Sequence, residues 1–240
     1  MAGHSKWKQI KYKKAILDSK RGKLFTKLIK EISIAARMSG GDPSGNPRLR
    51  FLLDKAKDIN MPQENYMRAI KKGTGELPGQ QYEAHSYEGY GPENIAIIVD
   101  VLTDNKNKAI AELRHAFSRK GGRIAENGSV SWMFDKSGII ECTAPGQTED
   151  TLLELLIDFD VKDIAAEDED GAFTIICDSR ALDDIKNMLI KNAVKVNEAE
   201  LGWVPRNKLV LEGEAEDKAL DFLEAIEELE DVQNVYTNLE

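Results

Sequence analysis

Cysteine is scarce in this chain, with only Cys142 and Cys177 among 240 residues. Two cysteines make neither a disulfide framework nor a metal set, and a reducing cytoplasm suits such usage. Histidine is nearly as rare, at three: His4, His85 and His115. None has a second histidine or a cysteine at ligand spacing, so no metal and no other cofactor is expected. Long apolar runs are missing as well. No stretch approaches the roughly 18 residues of a membrane span, and the N-terminus lacks the apolar core of a secretory signal. There is no low-complexity segment and no short-period repeat. What remains is a folded, globular composition, 41% hydrophobic and 31% charged, long enough for two or three small domains.

The charge is unevenly spread. Residues 1–81 hold 18 Lys+Arg against 7 Asp+Glu, a balance of +11. Residues 82–136 stand at −1, with 7 against 8, and residues 137–240 at −19, with 8 against 27. The net charge of −9 therefore conceals a basic end that attracts polyanions and an acidic end that they would repel. A solubilising surface accounts for the acidic end more simply than an acidic ligand site does.

The basic end is sharpest in GHSKWKQIKYKKA (3–15), which has five lysines, no acid, and Trp7 and Tyr12 between them. Lysines release counterions from phosphates, and aromatic rings stack on unpaired bases. The expected nucleic-acid contacts are Lys6, Trp7, Lys8, Lys11, Tyr12, Lys13, Lys14, Lys20, Arg21, Lys23 and Lys27. Secondary candidates are His4, Arg48, Arg50, Lys71, Lys72, Tyr87 and Tyr90. Packing of Trp7 on the helices behind it, or of the two tyrosines at the entry to a sheet, is the competing reading.

Periodicity predicts a helix over 18–38, with Leu24, Leu28, Ile32 and Ala35 buried and Lys30 on its basic exterior. It predicts a second helix capped by Asn46 and opened by Pro47, and a third opened by Pro62 with Tyr66, Met67 and Ile70 inward. EGYGPENIA (88–96) reads as a tight loop. Beyond it, strands are expected at 94–102, 129–134, 138–142, KDIAAE, AFTIIC, 194–204, NKLVLEG and VQNVYTN. Helices are expected at 106–120, 148–159, 180–193 and 215–230. Val130, Trp132 and Phe134 are expected on one strand face. The pattern is α+β and multidomain: an arm with a three-helix domain (1–81), a ferredoxin-like α/β domain (82–136 and 206–240), and a second, acidic ferredoxin-like domain (137–205) inserted in it.

Catalytic chemistry finds little support. KKGTGELPG lacks the Lys-Ser/Thr of a phosphate loop. The cysteines read as buried strand residues in acidic surroundings, where a thiolate is disfavoured. No catalytic residue and no metal ligand is assigned. No helix-turn-helix, zinc finger or RNP strand pattern is evident, so base-specific reading of a duplex is not predicted.

MAGHSKW, KRGKLFTKLIKEI, GGDPSGNPRLR, KAKDINMP, AIKKGTG, YEGYGP, LTDNKNK and RHAFSRKGGRIAENGSVSWMFD together closely resemble the YebC/PmpR family, in order and over nearly the whole chain. The resemblance implies three domains, a cytoplasmic location, no membrane and no enzymatic activity. Family members are usually regarded as transcriptional regulators that bind promoter DNA. Relatives, mitochondrial ones among them, look like translation factors that help ribosomes through proline runs. The expectation is a nucleic-acid-binding regulator of gene expression acting on DNA or on ribosomal RNA or tRNA, monomeric, with a nuclease as the remote alternative.

Overall fold

The computed structural model describes residues 21–79, 81–167 and 171–240. They form two compact units, one of 21–129 with Glu212–Val235 and one of Val130–Leu211 with Tyr236–Glu240.

The first unit opens with helices α1 (Arg21–Ser39), α2 (Pro47–Asp58) and α3 (Gln63–Gly73). Their core is Leu28, Ile32, Ala35 and Ala36 against Leu49, Leu52, Leu53, Ala56, Ala69 and Ile70. Asn46 joins the first two. Its Oδ1 accepts from Leu49 N as the N-cap of α2, while its Nδ2 donates to Ala35 O and Gly40 O at the end of α1. One buried amide thus serves two helix ends that would otherwise leave polar groups unpaired. At Gly73 a Cβ would lie 2.2 Å from Ser33 O, so α3 approaches α1 closely only because no side chain is there. Two expected core residues are not in this core: Leu24 and Met67 are about two-fifths exposed, at 40% and 41%.

The same unit holds a four-stranded sheet ordered β3-β1-β2-β8, from β1 (Glu83–Tyr90), β2 (Ala96–Thr103), β3 (Arg123–Ala125) and β8 (Val232–Thr237). Helices α4 (Lys106–Arg119) and α7 (Glu214–Glu227) meet through Phe117 and Phe222, edge to face at 5.0 Å. Room for those rings comes from glycine: a Cβ on Gly89 would sit 2.6 Å from Phe117, and one on Gly122 2.5 Å from Phe222. This corrects the reading of 88–96 as a loop. Its first three residues end β1, which pairs antiparallel with β2 from Glu83–Thr103 to Tyr90–Ala96, and only Gly91–Ile95 turns.

Two further strand expectations fail. Residues 131–133 form a 3₁₀ turn in which Trp132 is 66% exposed, with Val130 and Phe134 buried on either side. The predicted strand at NKLVLEG is an irregular segment with one parallel bridge, Leu209 to Leu239. The sheet is completed instead by two strands that the sequence pattern missed, β1, upstream of the first predicted strand, and the short β3 in the run after α4.

The second unit follows the sequence pattern more closely. Strands β4 (Phe134–Thr143), β5 (Val161–Ala166), β6 (Ala172–Asp178) and β7 (Lys195–Pro205) are ordered β5-β6-β4-β7, and every adjacent pair is antiparallel. Helices α5 (Glu149–Leu155) and α6 (Leu182–Lys191) give Leu152, Ile185 and Leu189 to a core with Ile140, Cys142, Phe173, Ile175 and Cys177. Alternation along β4 and β7 puts Glu141 opposite Glu198, and Ile139 opposite Glu200, on the other face of this sheet. Acid on that face suits a surface that repels polyanions.

Candidate nucleic-acid interface

The arm candidates His4, Lys6, Trp7, Lys8, Lys11, Tyr12, Lys13, Lys14 and Lys20 lie outside the described residues. Arg21 opens α1. From there the helical region keeps its basic character: residues 21–81 hold 12 Lys+Arg against 6 Asp+Glu.

The three lysines of α1 share one side of the helix. Lys23, Lys27 and Lys30 recur at i, i+4 and i+7, which places them on one helical face. That face meets the carboxyl end of α7. Lys23 lies 3.9 Å from Glu228, with both side chains half exposed. Lys27 Nζ donates to Glu227 O at 3.3 Å. Lys30 Nζ donates to Glu230 O at 3.1 Å and pairs with the carboxylate of Asp231. A helix C-terminus carries partial negative charge and unpaired carbonyls, so ammonium groups are stabilised there.

The expectation that Lys30 lies on the basic exterior is therefore corrected, because it is 3% exposed. Around it, Thr103 Oγ1 donates to Asp231 Oδ2 at 2.8 Å, Leu102 N donates to Asp231 O at 2.9 Å, and the Tyr82 ring lies 5.7 Å away. Lys30 is not among the candidate contacts. The 23-27-30 spacing is the sequence signal for this lysine face, but its acidic partners lie some 200 residues away.

The other candidates separate by exposure. Arg48 is exposed and bonds Glu31 at 2.9 Å. Arg50 is exposed and donates to Pro43 O and Ser44 O, bracing the turn before α2. Lys71 and Lys72, in the last turn of α3, are exposed. Tyr87 is 8% exposed, and burial holds its phenol above the usual tyrosine range. Tyr90 is half-buried, donates to Ser129 O at 3.0 Å and carries the Arg123 guanidinium 4.7 Å from its ring centre. Both tyrosines belong to β1, and one face of the Tyr90 ring is taken by Arg123.

Among the described residues, no group of three or more His, Cys, Asp and Glu could hold a metal ion. No helix among them is long and apolar enough to cross a membrane. Cys142 and Cys177 are buried, and burial pushes each thiol up to about 11, the opposite of what a nucleophile requires.

Comparison with known proteins adds independent findings. The family model described as the TACO1/YebC protein N-terminal domain matches residues 5–76, and the model of the TACO1/YebC second and third domain matches 82–239. A "Probable transcriptional regulatory protein" of Pelodictyon phaeoclathratiforme is 48% identical over 100% of this chain and 96% of its own length. One of the same name from Chlorobaculum parvum is 49% identical over 100% of this chain and 95% of its own. The crystal structure of a conserved hypothetical protein from Aquifex aeolicus superposes with a TM-score of 0.85 at 41% identity, covering 95% of this chain and 93% of that one.

Proposed function

Because this chain belongs to the TACO1/YebC family, we propose that it is a non-enzymatic, nucleic-acid-binding regulator of gene expression. It would act on DNA through the arm and the exposed cations of the helical region. The observation that carries this reading is the polarity of charge, +11 over residues 1–81 against −19 over 137–240. The names of the curated relatives support the transcriptional form of the reading. On this reading residues 1–81 make the contact. Residues 82–136 with 206–240 form one α/β domain that carries 137–205 as an insertion. The strand order β5-β6-β4-β7, with two helices contributing to one core, supports reading that insertion as a ferredoxin-like split βαβ unit.

A second reading, a cytoplasmic translation factor bound to ribosomal RNA or tRNA, is favoured by one feature. The arm interleaves lysine with aromatic residues, the combination that suits unpaired bases better than duplex edges. Titrating the full chain against promoter duplex, scrambled duplex and single-stranded ribosomal RNA at one salt concentration separates the two. Promoter DNA bound more than about a thousandfold tighter than scrambled duplex supports the transcriptional reading. Equal duplex affinities with tighter RNA binding support the translational one. Binding to none of the three contradicts both.

A further inference from the structure

The segment 82–136 is almost neutral overall, yet its charge is not evenly placed. Residues 114–123, RHAFSRKGGR, hold Arg114, Arg119, Lys120 and Arg123 and no acid. All four side chains are exposed. Five of the segment's 8 acids are engaged elsewhere: Glu83 beside His85, Asp100 with Ser86, Glu112 with Lys108, Glu88 with the Gly128 amide, and Asp135 with Arg206. Arg114 and Arg123 line an open groove of about 430 Å³ with Ser118 and a single carboxylate, Glu126.

The corner that bears these cations is rigid. α4 ends at Arg119, and Gly122 N donates back to Phe117 O at 2.8 Å. Gly121 turns the chain with φ +82, and the Gly122 backbone lies so close to Phe222 that no Cβ would fit. β3, which begins at Arg123, is the outer strand of its sheet. The Tyr90 ring fixes the Arg123 guanidinium by its face, which leaves the N–H edge available to an anion. An enclosed cup would suit a free phosphate. Four exposed cations along a helix end and a sheet edge suit a chain of phosphates, and an arginine can take a phosphate in bidentate fashion.

We propose that this α4–β3 corner, through Arg114, Arg119, Lys120 and Arg123, is an additional contact for the sugar-phosphate backbone of the bound nucleic acid. The inference rests on the nucleic-acid-binding reading above and extends it to a surface beyond residues 1–81.

The test compares the full chain with a variant carrying Arg119→Gln, Lys120→Gln and Arg123→Gln, and with a control carrying Lys191→Gln, Lys195→Gln and Lys218→Gln. All are titrated against one labelled duplex and one labelled single strand over a range of salt, after matched melting curves. Each phosphate that the protein no longer neutralises lowers the steepness of log K against log salt by about 0.7–0.9. The corner variant should therefore be shallower by about 2–3 and the control unchanged. A corner variant as steep as wild type overturns the inference and leaves the general reading intact. Equal reductions in corner and control also overturn it, since net charge alone would then account for the effect. A wild-type chain that binds neither probe overturns both.

Discussion

Lys30 on α1 and Asp231, just before β8, form a buried ion pair between residues 201 positions apart. Glu230 O, Thr103 and the Leu102 amide complete the hydrogen bonding around it. Through this pair the helical region is held to the end of α7. The most conspicuous lysine face of α1 is therefore partly a structural face.

Removing one partner leaves the other charge buried and uncompensated. Lys30→Met or Asp231→Leu alone should each cost about 3–5 kcal/mol in urea unfolding, and the double variant clearly less than the sum. Strict additivity would show that the two side chains do not depend on each other.

Asn46 supplies both an acceptor and two donated bonds. Asn46→Asp keeps the N-cap acceptor but loses both donors, and it brings a carboxylate against two carbonyls. It should destabilise by more than the about 1 kcal/mol typical of a lost cap. A neutral Asn46→Asp in denaturant melts would mean that the carbonyls of Ala35 and Gly40 do not need it.

Gly73→Ala should push α3 away from Ser33 O, with an overpacking cost of about 1–3 kcal/mol. Gly75→Ala serves as the comparison. Its site is open, but its φ of +83 disfavours a side chain, so its cost comes from the backbone alone. Gly73→Ala should lower the denaturant midpoint further than Gly75→Ala does. The reverse order would show that α1 and α3 can part without penalty.

The buried thiols make a prediction about pH. Burial raises both from 9.0 to about 11, so the folded state holds its thiol protons more tightly than the unfolded chain. That contribution is fully present below pH 9 and is lost as pH rises towards 11. Wild type should lose stability faster across this window than the Cys142→Ala, Cys177→Ala variant. Parallel pH profiles would contradict the assignment. At about pH 8 a thiol reagent should label native protein far more slowly than unfolded protein.

Most helices and the second sheet are legible in the sequence because their signals are local. Asn46-Pro47 marks a helix start by its own chemistry, and β6 is a nearly continuous apolar run, AFTIIC. The errors arise where burial depends on distant residues. β1 is hidden because its inward positions include His85 and Gly89, the latter glycine on account of Phe117. The stretch 129–134 looks like alternation, but Val130 and Phe134 are buried four residues apart around an exposed Trp132. Lys30 looks solvated because nothing near it in the chain announces Asp231. At the candidate site the overall charge is readable. The division of cations between structural and exposed duties is not, because it depends on acids supplied from the other end of the chain.

Whether the basic end of the chain makes the nucleic-acid contact turns on the salt dependence of binding. The full chain is compared with a variant in which Lys6, Lys8, Lys11, Lys13 and Lys14 are all replaced by alanine. Wild type should bind with log K falling linearly in log salt, and the variant should be shallower by about 0.7–0.9 for each lysine that met a phosphate. Identical slopes for the two proteins, with unchanged affinity, would contradict it.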